Sequence, residues 1–197
     1  MAGIIKLSFH NESELTETPK VVLFQKYRVG STQMEPVAWR VFENIGQGDY
    51  HPFQFEELPE MVVKSSKGTG INILSDLSYS QSYVAKPGID GDRVTSSAFT
   101  FPLINQFHRE RIHVEMSKGG NVLIAPVRIA SGDSAILQFD QTLWVGLTER
   151  AKEGEIMKEE ALFYTHTGLS MAGVQTAEIV MAGGGANPLS FSLRNVT

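Results

Sequence analysis

Arg111-Ile112-His113-Val114-Glu115-Met116-Ser117-Lys118-Gly119-Gly120-Asn121-Val122 alternates apolar and polar side chains and then breaks on two glycines. Successive side chains of a strand point to opposite faces. Ile112, Val114 and Met116 therefore share one face, and Arg111, His113 and Glu115 the other. Lys118-Gly119-Gly120-Asn121 supplies residues that tolerate positive φ, which a tight hairpin needs. The stretch reads as strand, turn, strand.

The same period runs outward in both directions. Ile5, Leu7 and Phe9 alternate with Lys6, Ser8 and His10, giving a strand with one wet face. Val21 to Phe24 is apolar on both parities, so that strand needs cover on both faces. Trp39 shares its parity with Val37 and Val41 and is expected in the core. Phe53 and Phe55 alternate with Gln54 and Glu56. Pro126 interrupts Val122 to Ile129, which marks an edge or a bulge. Leu143, Val145 and Leu147 oppose Trp144, Gly146 and Thr148, and short runs follow at Leu162 to Thr167, Ala177 to Met181 and Leu189 to Leu193. Roughly a dozen short strands at regular spacing imply an all-β fold, an antiparallel β-sandwich of jelly-roll or immunoglobulin-like type. At most one short surface helix is expected, at Glu149 to Ala161, with Gly154 in its middle. No internal repeat stands out. One domain over residues 1–197 is expected, with a long Ser/Gly/Tyr-rich excursion at about 64–97.

Composition narrows the classes of function. The 197 residues include no cysteine, which excludes disulfides, thiolate metal sites and a cysteine nucleophile. A net charge of -5 without a basic block argues against a nucleic-acid partner. No apolar run has the length of a transmembrane helix, and Met1 to Lys6 lacks the pattern of a signal peptide. A cytoplasmic location is the expectation.

No catalytic residue, metal ligand or cofactor is assigned from the sequence. His108 and His113 stand five apart, so on one strand they take opposite faces, and His113 with Glu115 reads as a solvent-facing pair. Gly168-Leu169-Ser170-Met171-Ala172 lacks the helix that a nucleophile elbow requires. Asp90-Gly91-Asp92 lacks the distant acid of a calcium loop. Gly183, Gly184 and Gly185 precede a strand, so they suit close backbone approach at a subunit contact better than phosphate binding. Tyr79 and Tyr83 lie in a Ser/Tyr stretch of the kind that makes adaptable binding surfaces. Trp144, at an outward parity beside Gly146, is the third candidate contact.

The expected function is non-enzymatic, by self-association or by binding a partner. A homo-oligomer is expected, most simply a dimer, with a carbohydrate or protein ligand as the alternative. A β-pore-forming protein and a hydrolase or metal enzyme on a sandwich rank behind these.

Overall fold

In the computed structural model of the chain, which describes residues 3–15, 20–66, 71–74, 81–85, 94–95, 100–158 and 166–197, the period-two stretches become strands. Numbered along the chain, they are β1 (Ile4–Ser13), β2 (Lys20–Phe24), β3 (Tyr27–Val29), β4 (Thr32–Gln33), β5 (Arg40–Phe42), β6 (Tyr50–Glu56) and β7 (Glu60–Ser65). There follow β8 (Ile71–Leu74), β9 (Gln81–Ala85), β10 (Val94–Thr95), β11 (Thr100–Asn105), β12 (Ile112–Lys118) and β13 (Asn121–Val122). The last are β14 (Val127–Ile129), β15 (Ser134–Phe139), β16 (Thr142–Thr148), β17 (Thr167–Ser170), β18 (Thr176–Gly183) and β19 (Ser190–Arg194). The described residues contain no helix.

Residues 149–158 carry the first part of the expected helix. They form bends and turns instead. Gly154 takes φ 81°, which no helix interior accommodates, and its N–H donates to the Ala38 carbonyl at 2.8 Å. The Ala38 N–H donates in return to the Glu155 carbonyl at 2.9 Å. This clasp brings Ala38, Ala151 and Met157 onto Val22 and Phe24. The second apolar face of Val21 to Phe24 is thus covered from within the same chain.

The strands pack into two compact units. Unit 1 takes residues 1–25, 38–57 and 141–197; unit 2 takes residues 26–37 and 58–140. Unit 1 holds the sheets β19-β18-β1-β6 and β17-β16-β2-β5. Their inner faces meet through Phe42, whose ring lies 5.6 Å from Phe9 and 5.5 Å from Phe53. Trp39, 1 % exposed, packs edge-on to Phe55 in the same core, as expected. Val41, which shares its parity, nonetheless packs on the cluster of Val22 and Phe24 on the other side of the sheet, because residue 39 precedes the strand. Unit 2 holds β10-β9-β11-β15-β3-β4 and β13-β12-β7-β8, with β14 on the free flank of β12. There Phe139 packs against Phe101 and Tyr27. The pair β12–β13 turns on Gly119 and Gly120, both at positive φ, as the opening stretch implied.

Among the described residues pairing is antiparallel except at β1–β18 and β9–β11, which are parallel. Those two exceptions expose a repeat that the sequence hides. In unit 1, β1 runs parallel to β18 and antiparallel to β6. In unit 2, β11 runs parallel to β9 and antiparallel to β15. The antiparallel pairs β18–β19 and β9–β10 match, as do β16–β17 and β7–β8. The antiparallel pairs β16–β2 and β2–β5 match β7–β12 and β12–β14. Leu7 faces Phe53 as Phe101 faces Leu137.

Two buried asparagines mark the same corner of each unit. Asn11 donates its backbone N–H to Asp49 and accepts from Gly48; Asn105 does the same with Asp133 and Gly132. Each Oδ1 accepts the N–H two residues on, from Ser13 and from Phe107. The chain is therefore two repeats in tandem. The first runs β1, β2, β5, β6 and then β7 to β10; the second runs β11, β12, β14, β15 and then β16 to β19. The first half of each repeat pairs with the second half of the other. This corrects the expectation of no internal repeat. Few residues match beyond these asparagines, Gly-Asp and Phe53-Gln54-Phe55 against Leu137-Gln138-Phe139, and insertions shift the spacing, so no fixed period survives.

Candidate functional site

The outward positions of β1 are Lys6, Ser8, His10 and Glu12, set by alternation with buried Ile5, Leu7, Phe9 and Asn11. Register gathers partners for them from distant sequence. Ser8 lies between Glu178 of β18 and Pro52 of β6; His10 lies between Val180 and Tyr50. Arg194 of β19 stands beside Glu178.

This sheet face is ordered by its own contacts. The His10 and Tyr50 rings stack at 5.7 Å and 19°. Tyr50 is 62 % exposed, the most open large apolar side chain among the described residues. Ser8 Oγ and His10 Nε2 share a hydrogen bond of 2.8 Å. Arg194 spans two carboxylates, with Glu12 at 2.7 Å and Glu178 at 2.8 Å. Asn195 Nδ2 donates to the other Glu178 oxygen at 3.0 Å. The hydrogen bonds from Arg194 and then Asn195 hold the Glu178 carboxyl below its ordinary value. Those of Glu12 and Glu178 raise the Arg194 guanidinium above its own. Exposed ion pairs add little stability, so the effect of this clasp is to fix where the carboxylate oxygens point. Beside it runs a shallow groove of about 310 Å³, lined by Lys6, Ser8, Thr176, Glu178 and Asn195.

The candidates read from the sequence lie elsewhere. Trp144 faces away from the inner core, but its ring is half-buried, 6.4 Å from Phe24 and 5.0 Å from His166. It packs on the apolar cluster of Val22, Phe24, Ala151 and Met157. Gly168, opposite Trp144 across the ladder, makes room for the indole: a Cβ there would come within 3.1 Å of it. Tyr83 is 1 % exposed in unit 2, so its ring offers no surface to a ligand. Tyr79 and Asp90 to Asp92 lie outside the described residues. The close approach expected at Gly183, Gly184 and Gly185 occurs within the chain. A Cβ at Gly183 would run into the Pro188 carbonyl, one at Gly184 would come within 2.8 Å of the Leu15 side chain, and one at Gly185 would run into the Glu14 carboxylate. The Glu14 N–H donates to the Gly183 carbonyl at 2.8 Å, tying this loop to the end of β1.

His113 and Glu115 do share a face, but Glu115 is paired with Lys64 at 2.7 Å. Among the described residues no three His, Asp or Glu side chains converge as a metal site would require. Sequence reasoning saw Lys6, Ser8 and His10 only as a wet strand face. Tyr50, Glu178 and Arg194 reach them through pairings that no local pattern announces.

No family model, curated protein or solved structure matches the chain.

Proposed function

We propose that the protein is a non-enzymatic binding protein in which each unit is a β-sandwich and the partner docks on the outer face of β19-β18-β1-β6. The carrying observation is Tyr50, an aromatic ring left 62 % open yet held in place by His10. A fixed ring gains contact area on binding with little entropy lost. The bonded pair of Ser8 and His10 has the makings of a nucleophile and base. The surroundings favour binding all the same. Residue 8 lies inside ladders to both β18 and β6, so its backbone supplies no spare N–H to stabilise an oxyanion.

Two features behind the expected dimer, the two-faced strand β2 and the triple glycine, are both satisfied inside one chain. Partner binding is accordingly placed ahead of self-association. Light scattering after size exclusion separates the two: a mass near 21.7 kDa is expected, and twice that mass would restore the dimer. The binding face itself is tested by amide NMR shifts against a panel of neutral oligosaccharides, an extended peptide and anionic vesicles. Shifts centred on Ser8, His10, Tyr50 and Glu178 are expected with one class. Shifts centred elsewhere, or none with any class, would overturn the proposal.

A further inference from the structure

Building on that reading of the face, we infer that its ligand is a neutral saccharide, stacked on Tyr50 and hydrogen-bonded to Glu178. Sugar rings present C–H groups to aromatic faces and vicinal hydroxyls to carboxylates, and this face offers both at fixed positions. His10 holds the Tyr50 ring. Arg194 and Asn195 each take one Glu178 oxygen and leave the remaining lone pairs as oriented acceptors. Charge points the same way. Lys6 and Glu178 in the groove, and Arg194 and Glu12 beside it, are equal in number and opposite in sign, so these side chains form no cationic patch to draw in a phosphate or a polyanion.

Spacing sets the size of the ligand. Tyr50 lies two strands across and one alternate residue along from Glu178. At ~4.8 Å between strands and ~6.8 Å between alternate residues, the two are about 12 Å apart, roughly the reach of two linked pyranose rings. Main-chain recognition of a peptide would use the edges β6 and β19, whereas Ser8 and Glu178, with the groove beside them, lie on the interior strands β1 and β18.

The second repeat provides an internal comparison. Register matches Ser8, His10 and Tyr50 of unit 1 with Pro102, Ile104 and Ser134 of unit 2. The same backbone positions there carry no ring platform and no hydrogen-bonding pair. The polar and aromatic set is therefore not a requirement of the fold.

The test is titration calorimetry and amide NMR of the full chain with cellotetraose, maltotetraose, mannotetraose, xylotetraose and chitotetraose. One of these should bind with a dissociation constant of about 0.1–1 mM, as a shallow site implies, and shift the amides of Ser8, Tyr50 and Glu178. Tyr50→Ala should weaken that binding by roughly tenfold or more, and Glu178→Gln by a smaller factor. Tyr50→Trp should retain it, with an unchanged melting temperature in all three variants. If no sugar shifts these amides while the peptide or the vesicles do, the saccharide is wrong and the binding face stands. If nothing shifts them, both fall. Undiminished sugar binding by Tyr50→Ala would also overturn the inference.

Discussion

Asn11 and Asn105 show how much a single buried amide can organise. Asn105 is wholly buried, and its Nδ2 lies within 3.0 Å of the carbonyls of Glu110, Ile129 and Ala130 while Oδ1 accepts from Phe107. Removing it orphans several buried groups at once. Asn105→Ala should cost about 2–4 kcal/mol in urea unfolding, and Asn11→Ala a comparable amount. His51 is the opposite case. Its ring stacks on Phe42 at 5.5 Å, but its buried Nε2 has no hydrogen-bond partner among the described residues. His51→Phe keeps the stack and removes the unsatisfied nitrogen, so it should raise stability by about 1 kcal/mol. A loss on urea unfolding would mean that the nitrogen is satisfied in solution. At Glu178 the folded carboxyl lies below its unfolded value, so its small contribution is present above the unfolded value and is lost as pH falls through the folded one. An NMR titration should show this carboxyl moving back up in Arg194→Gln. An unmoved carboxyl would remove the clasp from the account.

At the scale of elements, the sequence was legible wherever burial alternated locally. The wet face of β1, the two-faced β2 and the β12–β13 hairpin follow from side-chain parity and turn glycines alone. The span Glu149 to Ala161 was not, because Ile156 and Met157 among charges suggest a helix while Gly154 takes a conformation only a turn uses. Trp144 was half legible. Parity gave its side of the sheet, but its cover comes from residues that follow the strand in sequence and close back over it. Met157, 2 % exposed, is part of that cover. Met157→Ala should cost about 2–3 kcal/mol without changing the mass in solution. A small cost together with a shift to dimer would show that a second chain shares the covering. Gly184→Leu belongs here too. It meets Leu15 at a residue with φ 94°, so it should destabilise the junction of β1 and β18, and it cannot serve as a neutral probe of a subunit contact.

For the whole molecule, the proposed binding face was illegible in the sequence because its residues come from β1, β6, β18 and β19 with the residue after it, joined by long-range pairing. The tandem repeat was hidden for the same reason. Its signature is the pattern of strand pairing, and sequence alone carries only fragments such as Gly48-Asp49 and Gly132-Asp133. Neither unit is contiguous in sequence, since each needs strands from both repeats. A single cooperative domain is accordingly proposed, and thermal unfolding should show one transition whose calorimetric and van't Hoff enthalpies agree. Two resolved transitions would separate the units.

The exchange of halves between repeats is tested most directly by engineered cysteines, because the chain has none of its own. Residues paired across a ladder bring their backbones within disulfide reach. Lys6 and Thr176 are such a pair, on strands from different repeats. Lys6→Cys with Thr176→Cys should close an intrachain disulfide in the monomer on mild oxidation, seen by mass spectrometry of the unreduced digest. If each repeat instead folded on itself, the match of His10 to Ile104, which pairs with Val84, would bring His10 beside Val84. Free thiols in the first variant, with ready closure in a chain carrying His10→Cys and Val84→Cys, would contradict the exchange.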